Sequence, residues 1–212
     1  MIIVHAIVII VNFINIRNNI KVIINENNSL VKLDSMKQGK IKMIMKKDQD
    51  RVISFYKEDG ITLHKEDGPA IEYPDGRKEW FVNGERHRTD GPAIELINGT
   101  KVWIVNGKRH RTDGPAVEYP NGGTEWFING KLHRIDGPAV ERFNGGKEWF
   151  VNDKRHRTDG PALECFDGTK LWYNDGKLHR TDGPAYVGLN GTKEWWIDGK
   201  ELTEEEWENR VS

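Results

Sequence analysis

The chain has 212 residues, with 32 basic and 33 acidic side chains and a formal charge of -1. That balance argues against non-specific nucleic-acid binding, which needs an excess of cations, although a local basic stripe stays open. With 36% hydrophobic residues, a mean hydropathy of -0.70 and a single cysteine, Cys165, the composition excludes extended membrane structure, an internal disulfide and a cysteine-rich zinc site.

Residues 1–52 differ from the rest. They are rich in Ile, Asn and Lys, whereas all eight prolines lie at or after Pro69 and all eight tryptophans at or after Trp80. The run Met1 to Val11 is too short to span a bilayer as a helix and lacks the basic flank and cleavage site of a signal peptide. Two readings stand for it. Its β-branched content suits one or two strands followed by an Asn-rich loop. Alternatively the segment is low-complexity sequence, either disordered or not part of the native protein, with Met36, Met43 and Met45 available as starts.

From residue 53 the chain is repetitive. Asp-Gly-Pro-Ala begins at Asp67, Asp90, Asp113, Asp136, Asp159 and Asp182, a spacing of 23 residues with no insertion. The histidines His64, His87, His110, His133, His156 and His179 keep the step, as do Trp80, Trp103, Trp126, Trp149, Trp172 and Trp195. One unit reads HRTDGPAVEYPNGGTEWFINGKL, His110 to Leu132, and six units fill His64 to Leu202.

Each unit reads as a β-hairpin: a short strand, a Pro-Asn-Gly or Asn-Gly turn, and a returning strand that ends at a further Asn-Gly. A three-residue loop with glycine in the left-handed conformation pairs Glu72 with Lys78, Glu95 with Lys101, Glu141 with Lys147 and Glu164 with Lys170. A two-residue loop would set Glu72 against Glu79. The same register places Ala70 opposite Trp80, which explains the invariant small residue as room for an indole. No 23-residue hairpin buries its own indole and apolar strand residues, so units must stack. The expected fold is all-β: a single-layer repeat solenoid of six stacked β-hairpins over residues 53–202, with a short C-terminal capping helix over 203–212. Ile53 to Gly60 reads as a degenerate half unit. Thr203 and Glu206 form a capping box that would start a helix and lay Trp207 over the last hairpin.

The stretch KEWFVNGERHRTDGPAIEL resembles the MORN repeat family, and more closely its bacterial and viral variant. The resemblance implies stacked β-hairpins of this period and relatives of phage, giant-virus and bacterial type, some antitoxin-like. Asp-Gly-Pro-Ala stands where the standard repeat has a simpler Gly-x-Gly, so the membrane and phospholipid roles of standard members are not carried over.

No enzyme signature emerges. One histidine per unit, about 10 Å from the next on the strand spacing, is too far from its neighbours to share a metal ion. The expectation is therefore no metal and no cofactor, with each aspartate bonding its own turn and each histidine packing against the next unit. Cys165 occupies the position of Tyr73, Leu96, Tyr119 and Arg142 and reads as a substituted strand residue. The loops after each Asn-Gly carry a basic stripe whose arginines, Arg86, Arg88, Arg109, Arg111, Arg134, Arg155, Arg157 and Arg180, are the candidate contact residues. The plain reading of the stripe is local ion pairs with Arg stacked on aromatics. Function is read as non-enzymatic binding of a protein partner, with inhibition by a viral anti-defence or antitoxin-like protein as one form. The alternative is nucleic-acid or anionic-lipid binding along the stripe. The expected compartment is the cytoplasm of a bacterial host or a virus-infected cell, with no transmembrane segment.

Overall fold

The computed structural model describes residues 21–24, 30–37 and 40–211, with side chains from 43 to 210. The opening run Met1 to Val11 lies outside the described residues. The chain divides into two compact units, Met1–Ile97 with Ile104–Gly107, and Asn98–Trp103 with Lys108–Ser212.

Strands are short because turns recur so often. In the second unit the antiparallel ladder runs Lys101–Val102, Val117–Glu118, Thr124–Glu125, Val140–Glu141, Lys147–Glu148, Leu163–Glu164, Lys170–Leu171, Tyr186–Val187, Lys193–Ile197 and Lys200–Leu202. The first unit ladders Ile53–Tyr56, Ile71–Glu72, Lys78–Glu79 and Ile94–Glu95 in the same way. Among the described residues the fold is all-β apart from one helix, Glu204–Val211. Among the described residues no helix is long and apolar enough to cross a membrane.

The expected register holds. Glu72 pairs with Lys78, Glu141 with Lys147 and Glu164 with Lys170. Gly76, at the third loop position, has φ +93°, and its N–H bonds the Tyr73 carbonyl to close the turn. The side chain at the second loop position fixes the return. Asp75, Asn98, Asn121, Asn144, Asp167 and Asn190 each accept the N–H two residues on.

The first five repeats add a feature that their sequence concealed, whereas in the sixth the strand Lys193–Ile197 runs on through Trp195. In those five the returning strand does not run straight through Glu-Trp-Phe-Ile but breaks at the tryptophan, and the residues beyond it form a second hairpin. Examples are Phe81–Val82 with Glu85–Arg86 and Phe127–Ile128 with Lys131–Leu132. Its two-residue turn has both residues left-handed, as at Asn129 (φ 53°) and Gly130 (φ 85°). The register Ile71–Glu79 leads on to Ala70 opposite Trp80, as expected. On its other side the Trp80 N–H bonds the carbonyl of Ala93 in the following repeat, at 2.8 Å, and Trp103, Trp126, Trp149 and Trp172 repeat this with Ala116, Ala139, Ala162 and Ala185. All six alanines are fully buried, so the argument for their small size stands. The core is built repeat by repeat. Ala116, Val117 and Phe127 are buried together, flanked by Val102, Trp103 and Leu132.

Both ends of the array are specialised. Ile53–Tyr56 is the half unit: the Phe55 N–H bonds Ala70 as a tryptophan would, and Lys65 sits over the Phe55 ring at 3.8 Å in the role of the later arginines. The segment 1–52 contributes structure as well. Lys21–Ile24, Leu30–Lys37 and Lys40–Lys47 are strands, and the last pairs with Ile53–Tyr56. At the other end Thr203 and Glu206 form the capping box, N–H to carboxylate at 2.8 Å and N–H to hydroxyl at 3.2 Å, and the Trp207 indole donates to the Arg180 carbonyl.

Candidate binding surface

Each Asp-Gly-Pro-Ala turn from Asp90 onward is a holder for one arginine, and the first, at Asp67, takes Lys65. Arg111 stacks 4.1 Å above Trp103, its Nε donates to Asp113 at 3.0 Å, and its Nη1 donates to the Pro115 carbonyl at 3.2 Å and to Glu118 at 2.9 Å. Arg88, Arg134 and Arg157 repeat the set on Trp80, Trp126 and Trp149. The glycine is needed for space, since a Cβ on Gly114 would lie 2.6 Å from the Arg111 Cζ. The aspartate, expected to bond its own turn, also serves a neighbouring arginine. Its carboxylate goes to the arginine two residues earlier, which holds Asp113, Asp136 and their equivalents below the usual carboxylate range.

The remaining candidate arginines are also engaged. Arg86 donates to Glu79, Arg109 approaches Glu125 at 3.9 Å, and Arg155 donates to Glu148 at 2.8 Å. Glu148 is buried and also receives Arg142. All eight arginines nominated from sequence therefore face a carboxylate of this chain, and the five in the Asp-Gly-Pro-Ala holders have side chains only 20–22% exposed.

The histidines tie together the two ends of a 23-residue unit, where contact with the next unit was expected. The Nδ1 of His110 faces the N–H of Asn129 at 3.1 Å, at the left-handed start of the second turn, and His64, His87, His133, His156 and His179 do the same with Asn83, Asn106, Asn152, Asp175 and Asp198. At His87, His133 and His179 the same Nδ1 also lies 2.8, 3.1 and 2.9 Å from the side-chain Oδ1 of Asn106, Asn152 and Asp198, to which a protonated Nδ1 would donate instead. Histidine, tryptophan and arginine are brought together in two equivalent open clefts. Arg134, Asp136, Trp149 and His156 line one of about 730 Å³. Arg157, Asp159, Trp172 and His179 line the other, of about 600 Å³. Trp195 departs from the pattern: the arginine position that would cover it is Thr203, the helix cap, and Trp195 pairs with Leu202.

Among the described residues no group of three or more His, Cys, Asp or Glu is placed to hold a metal ion. Cys165 lies half-buried in a strand-turn position, and burial pushes its thiol above the ordinary value, the opposite of an activated nucleophile.

One surface escaped the sequence reading. The first loop position of successive repeats in the second unit carries Pro120, Phe143, Phe166 and Leu189, and the last three are 72%, 72% and 73% exposed. Ile97, at the same position in the first unit, is 68% exposed. The signal was available at a turn position that solvation would ordinarily fill with a polar residue.

A scan of protein-family models finds no match to the chain, and no curated protein matches it.

Proposed function

We propose that the chain is a non-enzymatic repeat protein of the bacterial and viral MORN type that binds another protein through the loop-tip edge of its sheet. Its role is that of an inhibitor, of the viral anti-defence or antitoxin-like kind, in the cytoplasm of a bacterial host or virus-infected cell. The observation that carries this reading is the row of exposed apolar side chains at one repeat position, Phe143, Phe166 and Leu189. Apolar side chains held on turns in water favour a partner that removes them from it.

The alternative, nucleic acid or anionic lipid along the arginine stripe, draws less support from the geometry. A phosphate would have to compete with carboxylates already bonded to those guanidinium groups. Affinity purification from the native host at low salt, with and without nuclease, separates the two. One stoichiometric, nuclease-resistant protein lost on changing Phe143, Phe166 and Leu189 to serine supports the proposal. Recovery of nucleic acid alone overturns it.

A further inference from the structure

In the repeats before the last, each holder arginine finds a glutamate seven residues on. Arg111, Arg134 and Arg157 donate Nη1 to Glu118, Glu141 and Glu164 at 2.9–3.2 Å. Glu164 is flanked across the sheet by Lys147 and Lys170, so that one carboxylate sits among three cations.

The last repeat has the cations without the acid. Arg180 stacks on Trp172 at 4.0 Å and donates Nε to Asp182 and Nη1 to the Pro184 carbonyl, as its predecessors do. The residue seven on is Val187, flanked across the sheet by Lys170 and Lys193, whose side chains are exposed and make no ion pair among the described residues. Along the chain the exposed loop residues Phe166 and Leu189 lie four residues before Lys170 and two after Val187.

The geometry points to an acceptor site at Val187, formed by Arg180, Lys170 and Lys193, for a carboxylate supplied by a protein partner. The partner residue takes the place that Glu164 fills one repeat earlier and brings an apolar neighbour to Phe166 or Leu189. Carboxylate is the favoured anion because this chain uses it at the equivalent point of each earlier repeat, and a charge-assisted bond to a preorganised arginine is the stronger kind. The inference rests on the protein-binding reading and names the chemistry of the partner's contact.

The test is a titration of the full chain with acetyl-Leu-Glu-Leu-Glu-Leu-amide, followed by NMR at the Arg180 Nε–H, the Val187 amide and the lysine side chains, with the Gln-for-Glu peptide as control. Saturable shifts at these groups, at least tenfold weaker in Val187→Glu and in the Lys170→Ala, Lys193→Ala double variant, are the expected result. Val187→Glu restores the pattern of the other repeats, so it folds with an unchanged or higher Tm. No response, an equal response to the Gln peptide, or an affinity unchanged in Val187→Glu overturns the site. A tighter response to inorganic phosphate than to the peptide overturns the choice of carboxylate. Peptide binding in a chain that recovers no host protein supports the site and removes the wider reading. A host partner retained equally by wild type and Val187→Glu, with no peptide response, removes the site alone.

Discussion

Arg111 lies 4.1 Å above the indole of Trp103 only because Gly114 has no side chain. The four residues Asp113 to Ala116 then have separate tasks: a carboxylate for Nε, an open space, a carbonyl for Nη1, and a buried methyl whose own carbonyl receives the Trp103 N–H. Gly114→Ala is expected to displace the guanidinium and cost about 1–3 kcal/mol, as overpacking does. In an Arg111→Ala background the same change costs little, because the clash has gone. Thermal melts of the four proteins in that cycle check it, and additive losses would contradict it.

Glu148 supplies a second prediction. It is buried between Arg142 and Arg155, and the equivalent glutamates have donors too: Tyr73 and Arg86 bond Glu79, and Tyr119 bonds Glu125. Where the acid is replaced by Leu171, the donor positions carry Cys165 and Leu178. Glu148→Leu alone strands two arginines and is expected to cost about 1–3 kcal/mol. The triple change Arg142→Cys, Glu148→Leu, Arg155→Leu copies the apolar repeat and is expected to return to within about 1 kcal/mol of wild type. Chemical denaturation measures both.

Acid should expose the same group. Burial opposes ionisation of Glu148, but the hydrogen bonds from Arg142 and Arg155 outweigh it and hold the carboxyl below its ordinary value. A depressed folded pKa stabilises above the unfolded value, about 4, and that stability disappears as pH falls through the folded one. The Tm is expected to be flat from about pH 7 to 5 and to fall below about pH 4. Glu148→Gln should start lower and lose less on acidification. A parallel decline in the two proteins would remove Glu148 as the cause.

The histidine joints can be read amide by amide. His110→Ala leaves the Asn129 N–H without its acceptor, a loss of about 1 kcal/mol. Hydrogen exchange at Asn129 should quicken while exchange at Asn152, held by His133, stays as it was. Unchanged exchange at Asn129 would show that the bond carries no local stability.

The first hairpin was legible because its turn chemistry is local: Asx side chain, left-handed glycine and cross-strand Glu–Lys pairing all lie within ten residues. The capping box at Thr203 and Glu206 was legible for the same reason. The break at tryptophan was not, because nothing within Glu-Trp-Phe-Ile says that the tryptophan N–H is claimed 13 residues on, as by Ala93 for Trp80. The arginine stripe was legible as local ion pairs with arginine on aromatics; only the partners were not, since Arg134 and Glu141 stand seven residues apart until the fold brings them to 3.2 Å. The edge row is visible only across repeats, because Phe143, Phe166 and Leu189 stand 23 residues apart at one turn position and nothing local to any of them marks a surface.

Since His110 reaches forward to Asn129, His133 to Asn152 and His156 to Asp175, always 19 residues on, the joints of the second unit follow one spacing. A tandem duplication of any 23-residue block finds its partners already in place, whereas one of 22 or 24 residues would break the spacing at its junction. Length is therefore a heritable variable that such a gene can change in whole steps, extending or shortening the edge it offers without redesigning a single contact.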